Sequence, residues 1–367
     1  MTGRQTAWPA FTTAPLPTAP ADPGGLPPLR DARFTVAAWA AQCRSAQPVL
    51  GGLAWGPLDT ADAHTTPAST TTPLATSVLP LLAPDQACVD AWLGGPVLRA
   101  GRSGAVQWHS DGHWAFGHVE FPDVQVGLEE TARLAYQGLF GALRDSGCTQ
   151  VLRLWNYLPR ITEDGGGLER YRQFNAGRQR AFIEAGYSAF EGAPAACALG
   201  THGGGLALRF LAGKTAPLAI ENPRQVPAYR YSAAYGPRSP TFSRAAVAAA
   251  GGGRVALWVS GTASIVGEHT VHHGDVPAQL AETLTNLHAV IAAANQRCTA
   301  GFTLADLVCT VYVRHVADLA FIRAAFEAAV GPDSLAARQA IYLQADVCRS
   351  DLLLEIEGHA LAPGVLC

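Results

Sequence analysis

The chain has 367 residues, of which 49% are hydrophobic and 15% charged, and its formal net charge is −3. This length exceeds one ordinary core and suits two packed domains. The near-neutral balance leaves no basic stripe to neutralise phosphates, so nucleic acid is excluded as an expected partner. Lys214 is the only lysine, and the cationic charge is otherwise arginine. The eight cysteines (Cys43, Cys88, Cys148, Cys197, Cys298, Cys309, Cys348, Cys367) are scattered without a CxxC pair or a histidine at metal-finger spacing. They read as free thiols of a reducing, cytoplasmic compartment. No secretory segment and no run of 18 apolar residues is present, so no membrane partner is expected.

Residues 1–33 open with a Pro-, Thr- and Ala-rich stretch that has no periodic apolar face, and they read as a disordered leader. Thr35 to Trp55 holds short strand-like runs, and Asp59 to Thr72 reads as a surface loop. From Trp114 onward one order of elements occurs twice. The first pass runs through a strand at WAFGHVEF, a helix carrying Leu128, Ala132, Ala135, Leu139 and Leu143, and a strand at VLRLWNYL. A helix from about Leu168 to Ala185 follows, then strands at PAACALG and LALRFLA. The second pass begins with paired strands in RVALWVSGTASIVG and a helix carrying Leu280, Leu284, Leu287, Ile291 and Ala294. It continues with a strand at LVCTVYVRH, a helix with Leu319, Ile322, Phe326 and Val330, and strands at IYLQADV and DLLLEIE. The expected fold is α/β, as α+β layers: an N-terminal unit over 34–213 and a C-terminal unit over 214–367, packed sheet to sheet, with a cleft at the seam.

Alternation along Asp351 to Glu357 puts Leu352, Leu354 and Ile356 on one strand face and Asp351, Leu353, Glu355 and Glu357 on the other. A closed seam would desolvate Glu355 and keep it protonated near neutrality, as a general acid requires; an open strand face would leave it a solvated carboxylate. Arg178 lies on the same helical stripe as Tyr171, Phe174, Phe182 and Ala185, so it needs an anion, either a structural carboxylate or one from a substrate. Arg244, in a turn-rich loop, has a weaker case. Ser260-Gly261-Thr262-Ala263-Ser264 places small residues where a ligand, or simply a bend, comes close. The histidines fit no HExxH pattern, and Gly203–Gly205 and Gly251–Gly253 fit no phosphate loop and read as turns, so neither a metal nor another cofactor is expected.

VSGTASIVG, GDVPAQLAETLTNL, Val311-Tyr312-Val313-Arg314 and LLLEIEG resemble the RidA (YjgF) fold. With RLWNYLPRI, GLERYRQFNAGR, NPRQVPAYRYSAAYGPRSPTFSRA and YLQADVCRSDLLLEIEG, the chain resembles the chorismatase and 3-hydroxybenzoate synthase family over roughly Pro48 to His359. The resemblance implies two RidA-like units, the second catalytic, and cleavage of the enolpyruvyl ether of chorismate with release of pyruvate. By resemblance Glu355 protonates the enolpyruvyl methylene, while Arg178, Tyr231, Arg244, Tyr157 and Thr262 hold the substrate. Gly261 and Cys348 match the aromatising branch, which gives 3-hydroxybenzoate. A further group also makes 4-hydroxybenzoate and feeds pigment and ubiquinone synthesis. The hydrolytic branch, in which water adds and 3,4-dihydroxycyclohexa-1,5-dienoate results, is the alternative product reading.

One rival is a RidA-type imine deaminase, for which Arg349 lies near the usual arginine but lacks its Arg-Leu-Pro context. The other is a ligand-binding protein without catalysis, which leaves Glu355 and Arg178 unexplained. A chain that carries both units is expected to act as a monomer.

Overall fold

A strand whose two faces are both apolar or both buried must be covered twice, by helices on one side and by another sheet on the other. The computed structural model describes Phe11 and residues 26–44, 49–56, 74–76, 78–122 and 127–367. Most of the expected leader and the Asp59 to Thr72 loop lie outside the described residues. The first described elements are β1 (Arg30–Thr35), α1 (Val36–Arg44), β2 (Val49–Trp55), β3 (Leu74–Thr76), β4 (Leu81–Ala83) and β5 (Cys88–Leu93). Four of them form a sheet in the order β1-β5-β2-β3, and β4 crosses to the edge of another sheet.

Next come β6 (Arg99–Ser103), β7 (Val106–Ser110), β8 (Trp114–Phe121), α2 (Leu128–Ser146), β9 (Gln150–Pro159), α3 (Arg170–Glu184), β10 (Ala195–Thr201) and β11 (Leu206–Gly213). Their strands make a six-stranded sheet, β10-β9-β11-β8-β7-β6. The remaining strands are β12 (Leu218–Ile220), β13 (Ala245–Gly251), β14 (Arg254–Thr262), the short pair β15 (Ile265–Val266) and β16 (His269–Thr270), β17 (Val308–Val313), β18 (Ile341–Gln344) and β19 (Leu354–Pro363). The helices among them are α4 (Val276–Asn295), α5 (Leu319–Val330) and α6 (Leu335–Gln339). With β4, the strands β12, β13, β14, β17, β18 and β19 complete a seven-stranded sheet, β12-β13-β14-β19-β17-β18-β4, while β15 and β16 form a two-stranded sheet of their own. β9 pairs parallel with β10 through the α3 crossover, and β17 pairs parallel with β18 through α5 and α6, so the expected duplication of order is realised as two related layers.

Each helix layer buries its apolar stripe on its own sheet. Leu139, Phe140 and Phe182 join the six-stranded sheet in one cluster, while Leu287, Ile291, Ile322 and Phe326 join the seven-stranded sheet in another. The opposite faces meet in a single cluster that also takes in the first sheet, with Trp55 and Trp92 from that sheet, Trp114 and Leu199 from the second, and Trp258 and Leu343 from the third. Burying one such large side chain contributes about 2–3 kcal/mol before entropy is counted. Backbone bonds pin the seam at its edges: Gly200 N donates to Asp346 O at 2.7 Å, and Ser243 N donates to Pro194 O at 3.1 Å.

Two differences from the sequence reading concern where strands begin. The leader does not extend to residue 33, because Leu29 is fully buried, its N–H donates to Ala250 O at 2.8 Å, and β1 starts at Arg30. Partners supplied by distant strands satisfy this backbone, and local composition carries no trace of them. Ala245–Gly251, absent from the expected elements, is β13. Its Ala246, Ala248 and Ala250 face the seam, where small side chains let the sheets approach, while Ala245 and Val247 face the helices. Gly251, Gly252 and Gly253, at φ of 75°, 57° and 68°, make the tight turn into β14 that their composition suggests. No helix among the described residues is long and apolar enough to cross a membrane.

Candidate active site

The seam opens at one end into a cavity of about 440 Å³, walled by α3, β10, the end of β14, the start of β19 and the loop that precedes β13. Six residues singled out in the sequence line it: Arg178, Tyr231, Arg244, Gly261, Cys348 and Glu355. Two do not. Tyr157 is buried on the inner face of β9 within the shared core, and Thr262 turns back to donate from Oγ1 to Ser260 O at 2.9 Å.

Glu355 is 4% exposed. The alternation read from the sequence holds from Leu354, where β19 begins, with Leu354 and Ile356 in the helix-side core and Glu355 turned to the cavity. Asp351 to Leu353 precede the strand, and Leu352 packs in a separate cluster with Ala263, Ile265 and Val347. Burial, reinforced by the neighbouring charge of Glu357 against the pull of Arg153 and Arg244, pushes its carboxyl up to about 8. The carboxyl takes this position because residue 261 is glycine. A Cβ there would stand 1.8 Å from Glu355 Oε1 and 3.3 Å from Cys197 Cβ. The β14–β19 ladder slips register between Val259 and Thr262, and this irregularity brings Gly261 against the acid.

Arg178 is 1% exposed. Its Nη2 donates to Asn175 Oδ1 at 2.9 Å, its guanidinium lies 4.9 Å from the Phe174 ring, and its Nε meets no acceptor. Arg244 donates from Nη2 to Tyr231 Oη at 2.7 Å and to Val226 O at 2.9 Å, and packs between the Tyr231 and Phe242 rings. Its Nε also lacks an acceptor. Among the described residues neither guanidinium has a carboxylate within ion-pair distance, so two buried cations face a space that a carboxylate-bearing ligand would fill. Behind Arg244, burial raises the Glu221 carboxyl to about 7 despite the arginine's pull.

Cys348 and Cys197 stay thiols. Burial followed by Glu355 lifts Cys348 to about 12, and burial with Glu357 lifts Cys197 well above the ordinary thiol range. They shape the wall and are not nucleophiles. The structure also adds residues that the sequence reading did not place here. Tyr171 and Tyr235 line the cavity with Arg349, which stacks on Tyr235 at 4.2 Å and Tyr231 at 5.3 Å and donates to Glu268 O at 2.8 Å. Tyr171 was visible as part of the α3 stripe. Tyr235 sits in an irregular loop that gives no periodic signal.

The arrangement of a neutral buried acid and guanidinium groups without carboxylate partners around one cavity is that of an enzyme for a small anion. The family described as "Chorismatase FkbO/Hyg5-like, N-terminal" matches residues 90–212. A 3-hydroxybenzoate synthase of Streptomyces hygroscopicus is 38% identical over 278 residues, which span 73% of this chain and 80% of that protein. A chorismatase of Streptomyces rapamycinicus is 36% identical over 281 residues, 75% of this chain and 82% of its own length. The crystal structure of a chorismatase matches with a TM-score of 0.76 at 29% identity, covering 91% of this chain and 99% of that one. The chain belongs to the chorismatase family.

Proposed function

We propose that this protein converts chorismate to 3-hydroxybenzoate and pyruvate. The observation that carries the reading is the cavity itself, where a carboxyl held protonated to about pH 8 faces the same space as two guanidinium groups that have no carboxylate of their own. Chorismate is a dianion whose enol ether must be protonated on carbon, and those two demands match those two features. Relatives named 3-hydroxybenzoate synthase and chorismatase support the same substrate.

In this mechanism Arg178 and Arg244 hold the carboxylates, with Tyr231 fixing Arg244 by its hydroxyl. Glu355 delivers its proton to the enolpyruvyl methylene, leaving an oxocarbenium ion at the ether carbon. The neighbouring ring hydroxyl attacks the ether-bearing ring carbon and displaces pyruvate, losing its own proton to give an arene-oxide-like epoxide. The epoxide then opens by cleaving the oxygen's original carbon–oxygen bond, the ring proton leaves, the oxygen takes up a proton, and the ring becomes aromatic. The proton taken from Glu355 is balanced by the one released, no water is consumed, and 3-hydroxybenzoate plus pyruvate have together the atoms of chorismate. Gly261 and Cys348 shape the wall beside the acid, and a tight wall that excludes water favours internal displacement over hydrolysis. The free thiols of the described cysteines suit the cytoplasm.

The experiment is incubation of the purified protein with chorismate and chromatographic resolution of the products. Pyruvate with 3-hydroxybenzoate is expected. The dihydroxydiene acid in its place would move the protein to the hydrolytic branch, and 4-hydroxybenzoate beside the 3-isomer would place it with the dual-product enzymes. Unchanged chorismate would overturn the proposal.

A further inference from the structure

Glu357 lies two residues beyond Glu355 on β19 and on the same face, yet it lines no part of the substrate cavity. It is 5% exposed and heavily bonded. Arg153, reaching across the seam from β9, forms an ion pair with it, Trp155 Nε1 donates to Oε1 at 3.1 Å, and Tyr312 Oη donates to the same oxygen at 2.9 Å. Three donors from two sheets hold this group as a carboxylate. Side chains two apart on a strand face are near neighbours, so a fixed negative charge stands beside the catalytic carboxyl in a space with little water to screen it.

The other titratable groups near Glu355 show which charges count. Cys197 on β10, Cys348 before β19, and the phenols of Tyr157 on β9, Tyr312 on β17 and Tyr171 on α3 are all raised by burial and remain neutral. Arg153 and Arg244 are the cations that act on Glu355, and both favour its ionised form. Arg172, Arg178 and Arg349, with Glu169, Asp351, His269 and His273, also line the cavity. Against them, Glu357 is the negative charge that acts on Glu355.

Resting on the chorismatase reading above, we infer that Glu357 is a positioning residue, whose seam-anchored carboxylate keeps Glu355 in its neutral acid form and returns it to that form after each turnover. Two adjacent buried carboxylates cannot both stay ionised at low cost, and Glu357 has three donors while Glu355 faces the open cavity. The proton released at aromatisation therefore goes back to Glu355.

The test is the pH profile of kcat/KM for chorismate, together with a carboxyl NMR titration of 13C-glutamate-labelled protein without substrate. A general acid is active below its pKa, so wild-type activity falls as pH rises through about 8. In Glu357→Gln this limb and the substrate-free titration of Glu355 are both expected to move down by about one pH unit or more, with KM changed little, and Glu357→Asp is expected to restore them in part. Trp155→Phe removes a donor but keeps the charge, so its limb is expected to move up. If Glu357 only ties the sheets together, Glu357→Gln lowers stability and leaves the limb in place, which overturns the inference. Should Glu357→Gln fail to fold, an unmoved or lowered limb in Trp155→Phe overturns it instead. The NMR titration needs no turnover, so inactive wild-type protein would defeat the chorismatase reading while still reporting on Glu357.

Discussion

At the scale of single residues, the acid is defined by what surrounds it. A carboxyl free in water is ionised at neutral pH, and Glu355 is not, because burial and Glu357 raise it from 4.5 to about 8. The native state thus retains a proton that the unfolded chain releases. The stability linked to that proton is complete below 4.5 and is lost as pH rises toward about 8. Glu355→Gln keeps the shape and removes the titration. Its unfolding free energy is expected to gain about 2–3 kcal/mol on wild type between mildly acidic and mildly basic pH. Denaturant unfolding at both pH values checks this, and equal pH dependence in the two proteins would show that Glu355 is not buried as an acid. Catalytic readiness is here maintained at a cost in stability.

Among the elements, the decisive contact is β14 against β19. The slip in their ladder presents Gly261 to the acid, and no side chain fits between them without displacing Glu355. Gly261→Ala is expected to lower kcat by at least tenfold while the fold survives, because a shift of about an ångström at a reacting group costs that much or more. Steady-state kinetics with circular dichroism reads both quantities, and unaltered kcat would mean that the carboxyl does not work from this position. Much of this element level was legible beforehand. Period-two alternation separates Glu355 from Leu354 and Ile356, and an arginine on the Tyr171–Phe174–Phe182 stripe of α3 stands out at helical spacing. Other parts were not. β13 is an alanine run, and alanine favours no strand, so only the need for small residues at a close seam explains it. The Gly261 contact depends on a ladder irregularity that leaves no compositional mark. Tyr157 occupies an inward position on β9 as an active-site residue would, but it points into the core beside the cavity, a distinction of depth that periodicity does not encode.

In the whole molecule, the seam makes the site. Helices cover the outer face of each sheet, and the inner faces close on a common core, so residues from 153 to 357 in sequence meet in one buried polar cluster. The doubling of element order foretold two layers and a cleft between them. The first sheet, with β1 paired to β5 and Arg33 paired to Asp90, completes the enclosure. Of its strands only β2 was foreseen, as the strand-like PVLGGLAW run, while FTVAAWA, also read as strand-like, is mostly helix α1. Enclosure lets one carboxyl stay neutral despite the guanidinium groups of Arg153 and Arg244, and the chemistry depends on it.

The most direct measurement is the rate of pyruvate release from chorismate by wild type and Glu355→Gln at neutral pH, with thermal unfolding of both as a control for folding. An amide cannot supply the proton, so the variant is expected to be folded and slower by about 10²- to 10⁴-fold. A folded variant that releases pyruvate within a few-fold of the wild-type rate would contradict the assignment of Glu355 as the acid.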